Sequence, residues 1–423
     1  MPETLSPNSS NLKSTGKPWQ RVVQREFPLG IGAFIGVGTA VNLAGSGALA
    51  ALIVAAIAAL WADLNAAQLT AAPLSAADRF SSPWLGFTAN WALLLAKATA
   101  AAVAALGFAG YLLHALGQAN VLWLVPIALC LTAGSAFLLY LRLLPAKLFQ
   151  ILLLAVTLLV LLFCFGIGLL KVLPNSESLS RFTPASSSSI ANMLQASALL
   201  FFAYAGHPSP HPDRSGNDGA VKTTVWVKLL TLLLYLGAAG LGIGAIGAQA
   251  FGDAADTYVS SLAVALQQIS GSGSSRLVAT GAAVVLAGVV FNLSLQAARL
   301  LQMMAQQQDV PRLLARGTGT PIAAIVAVGG TIACLMLMAD IQTLWSFGAF
   351  ASLLYAILVH LAVLKLPGEQ RSYPRVFTGI SLGVCLFLAV WISFKIWLIS
   401  LGLIGVGLVW RGINQWVKEQ SQL

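Results

Sequence analysis

Twelve apolar runs occupy most of this 423-residue chain. Inside a bilayer no water pairs with the backbone, so each run must satisfy its own N–H and C=O groups. A chain built this way folds as transmembrane helices or as a closed barrel. Runs near 20 residues fit helices; barrel strands need only about 9–11. The runs lie at about 27–43, 46–71, 83–112, 120–141, 147–170, 190–206, 223–250, 276–304, 320–338, 341–364, 376–394 and 396–412. The expected fold is therefore all-α and polytopic, with about twelve transmembrane helices. Composition agrees. Charged residues make up 9% of the chain and hydrophobic ones 58%, against roughly 25% charged in soluble domains. The uncharged stretch 27–62 is divided at Asn42–Gly47, where NLAGSG is turn chemistry. The semi-polar region Asp253–Ser275 suits a short interfacial helix.

Two of the runs are interrupted. From Leu29 to Gly38 the chain reads LGIGAFIGVG, and from Leu200 to Gly206 it reads LFFAYAG, followed by His207 and Pro208. The breaks are about 170 residues apart, close to the span of five helices. Gly/Pro-broken helices in corresponding halves of a polytopic chain mark a transporter's binding site. Unwinding at Gly36 and Gly38 would turn bare N–H groups and a half-helix dipole toward a carboxylate. Unwinding at Ala205–Gly206 would offer carbonyls to an amino group. The competing reading is that Gly32, Gly36 and Gly38 only let helices approach closely.

Charge sets the orientation. With twelve spans both termini share a side. Seventeen Lys and Arg residues, from Lys13 to Lys418, group on that side, against Lys171, Arg181, Arg276 and Lys395 opposite. The positive-inside rule then places both termini in the cytoplasm. The formal charge of +10 is loop charge serving topology, and no basic and aromatic surface outside the membrane suits nucleic acid. The residues preceding the first span lack a signal peptide's apolar core and cleavage site. Cys130, Cys164, Cys334 and Cys385 all fall in apolar runs and read as small buried residues.

Three stretches in order resemble the amino acid–polyamine–organocation permease superfamily. The glycine-rich Leu29–Gly38 is similar to that family's first helix and Leu200–Gly206 to its sixth. Asn292 to Ala315, with Ala298-Arg299-Leu300 and Gln308-Asp309-Val310-Pro311, resembles the eighth helix and its following loop, ahead of Thr320-Pro321. The resemblance covers roughly residues 25–366. It implies the inverted five-helix-repeat fold of the bacterial leucine transporter, with broken helices 1 and 6. The corresponding division is a polar cytoplasmic tail 1–26, repeats 27–171 and 190–365, two added helices over 376–412, and a second tail 413–423. It also implies alternating-access transport of amino acids or related amines across the cytoplasmic membrane, with H+ as a candidate coupling ion and without a cofactor. Ile35, Gly36, Val37, Gly38, Thr39, Phe202, Tyr204, Ala205, Gly206, Asn292, Ser294, Trp345 and Ser346 lie where relatives line the cavity.

The chain departs from that pattern in places. The segment between Gly38 and Gly47 is short. After the second break come three prolines in the six residues 207–212, which forbid a regular helix. Gln68 stands where relatives carry an acid. Thr157 occupies the helix 5 stretch in which many sodium-independent relatives have lysine.

Two charges, Asp63 and Lys97, lie inside spans. Intramembrane charge by default signals function or pairing. Their backbone depths differ by about 6–7 Å, so three readings stand: an Asp63–Lys97 ion pair, a cavity-facing Lys97, or independent snorkelling. His207, His211 and Asp213 are separated by prolines and read as a loop rather than a metal site. No nucleophile set or phosphate loop points to an enzyme. Two other functions fit the same residues: a non-transporting sensor or scaffold of this fold, and a carrier of another small solute.

Overall fold

The computed structural model describes residues 29–72, 80, 82–118, 120–141, 146–174, 176–182, 189–205, 217–257, 259–315 and 322–420, and within them each of the twelve runs is largely helical. Helix α1 covers residues 29–44. It is followed by α2 (Ala48–Ala71), α3 (Pro83–Ala115), α4 (Leu124–Leu141), α5 (Ala146–Lys171) and α6 (Ile190–Tyr204). Then come α7 (Asn217–Ile246), α8 (Ser261–Gln306), α9 (Ile322–Met338), α10 (Ile341–Leu364), α11 (Arg375–Val390) and α12 (Phe394–Gln420). The polar stretch 1–26 and the candidates Gly206, His207, His211 and Asp213 lie outside the described residues. The segment expected as a tail from 413 is helical as far as Gln420.

Local chemistry explains the boundaries. The 40-residue apolar stretch Gly32–Ala71 becomes two helices because Gly45 adopts φ 57°, a conformation available cheaply to glycine. Ser82 caps α3 through the Trp84 N–H, with Pro83 in the first turn. Ser189 caps α6 and Asp340 caps α10 in the same way. The semi-polar region after α7 forms the short helix Ala248–Thr257 and the first part of α8, which bends at Gly271 (φ 84°). Helix α6 has only 15 residues. It rises about 22 Å, less than the roughly 30 Å hydrocarbon core.

Helix α3 is the central element, buried along most of its length. Its alanines, from Ala96 to Ala109, let α8 and α10 pack closely against it. Helices α4, α5 and α12 are peripheral and turn Phe137, Leu159, Leu162, Val406 and Val409 outward, the face a lipid chain would meet. This corrects one expectation about the cysteines. Cys164 and Cys385 are buried, but Cys130 and Cys334 are exposed, on the outer faces of α4 and α9.

The last two helices are stapled to the first ten by polar contacts. Gln68 accepts from the Ser372 and Tyr373 N–H groups at 3.1 and 3.2 Å. Its amide also donates to Asn65 at 3.4 Å, and Asn65 accepts from Thr378 of α11 at 2.8 Å. An ionised acid could accept but not donate, so a glutamine suits this junction. Arg411 of α12 pairs with Asp309 at 3.1 Å and donates to the Pro83 carbonyl. Its guanidinium also lies 5.0 and 5.1 Å from the Trp84 and Phe87 ring centroids.

Candidate functional site

The two interrupted helices meet in the core, and they are interrupted in different ways. In α1 the chain does not unwind. Gly32–Gly36 forms a π-helical turn in which the Val37 N–H reaches back to Gly32, and Val37–Ala44 continues as α-helix. Such a turn loosens the backbone ladder without breaking it. The Phe34 carbonyl accepts from the Tyr111 hydroxyl at 2.8 Å, and Thr39 bonds back to Ile35 at 3.2 Å. The expected unwinding at Gly36 and Gly38 is thus replaced by a bulge.

The glycines of α1 serve close approach in this conformation. A Cβ on Gly36 would stand 2.6 Å from the Trp345 ring and 3.4 Å from Ala203. One on Gly38 would stand 2.6 Å from the Ser261 hydroxyl and 2.7 Å from Ala255, and one on Gly32 would collide with the Tyr235 ring. Ile35, Gly36, Val37, Gly38 and Thr39 are all buried.

Helix α6 does break. At Ala205 the backbone turns to φ −62°, ψ 88° and leaves helical geometry. A helix end leaves its last carbonyls without intrahelical donors, and neighbouring side chains take two of them. The Tyr235 hydroxyl donates to the Ala203 carbonyl at 3.1 Å, and the Lys228 ammonium donates to that of Tyr204. One turn back, the Trp345 indole N–H donates to Leu199 at 3.0 Å. The Trp345 ring stands edge-on to Phe202, centroids 5.3 Å apart, and Tyr204 lies 4.9 Å from Tyr235. Four rings therefore line the seam between the broken end of α6 and the glycine face of α1. One polar atom among them is unsatisfied: the buried Tyr204 hydroxyl has no hydrogen-bond partner among the described residues.

The buried charges are arranged otherwise than expected. Asp63 pairs with Lys228 at 2.9 Å, and this replaces the Asp63–Lys97 pairing. The same ammonium that holds Asp63 holds the end of α6, so α2, α6 and α7 share one cation. Lys97 instead donates to the Gln296 side-chain oxygen across the α3–α8 contact. The Gln296 amide nitrogen and the nearby Ser294 hydroxyl are buried without partners among the described residues. Asn292 faces α5, where Gln150 donates to it at 3.4 Å, and Ser346 bonds within its own helix.

The structure sets Trp345 against both Gly36 and Phe202, with Tyr204 and Ala205 at the same helix end. It places Asn292 on a different seam. Lys228, Tyr235, Tyr111 and Gln296 are the residues that sequence reasoning missed. Lys228 had a usable signal, since it is a charge inside an apolar span.

The sequence profile of the amino acid permease family matches residues 22–414. The chain belongs to that family. An uncharacterized transporter of Mycobacterium tuberculosis is 26% identical over 412 residues, covering 93% of this chain and 89% of that protein. The branched-chain amino acid permease BcaP of Bacillus subtilis is 25% identical over 423 residues, covering 88% and 89%. Among solved structures, a mutant manganese transporter of Eremococcus coleocola superposes with a TM-score of 0.60 at 16% identity, covering 96% of this chain and 97% of that one. That likeness concerns the fold, which is the family's transporter fold. The protein is a multi-pass membrane transporter and not an enzyme.

Proposed function

We propose that this permease carries amino acids or related organic cations across the cytoplasmic membrane by alternating access. The solute would sit at the seam between the π turn of α1 and the broken end of α6. The observation that carries this reading is the Tyr204 hydroxyl, buried and unpartnered at the helix break. Leaving a buried polar group unmade costs about 1–3 kcal/mol, and a ligand with a polar group would recover that cost. Phe202, Tyr235 and Trp345 supply apolar walls, and movement of a ring would open space against Gly36. The similarity to a branched-chain amino acid permease makes leucine, isoleucine and valine the first solutes to try. The charge bias of the loops supports cytoplasmic termini. A cysteine reporter at Ser421 should therefore be inaccessible to an impermeant reagent added outside cells; labelling from outside would refute that orientation.

Tyr204→Phe tests the site. Removing an unpartnered hydroxyl should leave the apo melting temperature unchanged or slightly higher. Ligand-dependent stabilisation should weaken about tenfold or more in apparent affinity, since hydrogen bonds to charged groups are worth about 1.5–3 kcal/mol. Wild-type affinity in Tyr204→Phe would remove this residue, and with it the proposed position of the solute.

A further inference from the structure

A second cavity lies far from the helix break. It has a volume of about 350 Å³ and sits between the end of α3, the start of α4, and the bent first part of α8. His114 on its wall is 31 residues along α3 from Pro83, about 46 Å at helical rise. That exceeds the thickness of the hydrocarbon core. The cavity is thus at the membrane face opposite the Arg411–Pro83 contact, the face that loop charge assigns to the outside. Its volume is within the range of small-molecule sites.

The wall has a consistent chemistry. Its lining residues include no Asp or Glu. Arg276 lines it, and no carboxylate among the described residues pairs with that guanidinium. The Ser260 hydroxyl also lines it, fully buried and without a hydrogen-bond partner among the described residues. The Gln118 and Gln267 amides stand at the exposed rim. His114 Nε2 lies 2.6 Å from the Ser275 hydroxyl, which donates its one proton to the Ala263 carbonyl at 2.7 Å. The imidazole must therefore donate from Nε2, which fixes the ring and ties α3 to both sides of the Gly271 bend. What remains is a rigid pocket that offers a guanidinium, a hydroxyl and amide groups, with no opposing negative charge.

We propose that this pocket is a second ligand site, taking a small oxyanion whose carboxylate or phosphate oxygens bind Arg276 and Ser260. A planar guanidinium matches either group with paired hydrogen bonds. The anion can come from a dissolved solute, such as a carboxylate awaiting transport, or from a lipid headgroup. The site does not depend on the solute position proposed between α1 and α6.

The test uses the full chain, with its four cysteines changed to alanine, in nanodiscs of uncharged phosphatidylcholine. Ser272→Cys, at the exposed rim, reports occupancy by its rate of reaction with an impermeant thiol reagent, and Gln267→Cys serves as a second reporter. Leucine and 4-methylpentanoate should each slow labelling at least fivefold, saturably, whereas leucinamide should not. Protection should disappear in Arg276→Gln, whose melting temperature should match its parent because Arg276 is exposed. It should persist in Tyr204→Phe, which separates this site from the central one. A second arm replaces part of the lipid with phosphatidylglycerol and omits free carboxylate. Protection there that depends on Arg276 identifies a lipid phosphate as the anion. Equal protection by leucinamide, protection that survives Arg276→Gln, or no protection by either anion source would overturn the proposal.

Discussion

Asp63→Asn and Lys228→Met should each destabilise the permease by about 3 kcal/mol or more, and the double variant should recover much of that loss. Breaking a buried pair by removing one partner costs on the order of 3–5 kcal/mol, because the other charge stays in low dielectric. The side chains here are 23% and 8% exposed, so the Asp63 carboxylate left by Lys228→Met is partly solvated and the loss from that orphan charge lies at the lower end. Lys228→Met has a second consequence. It removes the donor to the Tyr204 carbonyl, so an orphan acceptor is left at the end of α6. The double variant should therefore retain the part of the Lys228→Met loss that comes from this orphan acceptor. Thermal melts of the four proteins in one detergent at one pH would measure this. Additive losses would show that the two residues act independently.

Arg411→Met should cost a similar amount, and Arg411→Lys should restore less than half. Arg411 is 4% exposed, and its guanidinium meets Asp309, the Pro83 carbonyl and two aromatic rings at once. Lysine keeps the charge but lacks the planar fork that serves several acceptors together. The contact joins α12 to the start of α3 and to the loop after α8, so the loss should appear in the whole cooperative melt. Full recovery in Arg411→Lys would show that charge alone suffices.

The span pattern was legible because it depends on local properties. Length, apolarity and the glycines near residue 45 are each enough to place a helix or a turn. The short α6 was also legible, since Gly206 and the prolines beyond it disfavour a continuing helix. What the sequence could not supply was azimuth. Asp63 and Lys97 have similar depths, but depth does not say which face of α2 meets which neighbour. Tertiary packing turns Asp63 toward α7, where Lys228 waits at the inner part of its span. Glycine was ambiguous for a related reason. The same Gly-x-Gly run permits an unwound, ligand-facing backbone or close approach by a large ring. The rings that decide the matter, Tyr235 and Trp345, come from helices about 200 and 310 residues away in sequence. Neither a π turn nor an unpartnered hydroxyl leaves a sequence signature.

Uptake of labelled leucine, isoleucine and valine into proteoliposomes, with and without an imposed proton gradient, bears most directly on the proposed function. Wild-type protein should accumulate at least one of them above empty liposomes. Tyr204→Phe, folded and inserted as well as wild type, should need about tenfold more solute for the same rate. Equal rates in the two proteins, or no transport of any amino acid or related amine in a wider panel by folded protein, would contradict a solute site at the meeting of α1 and α6.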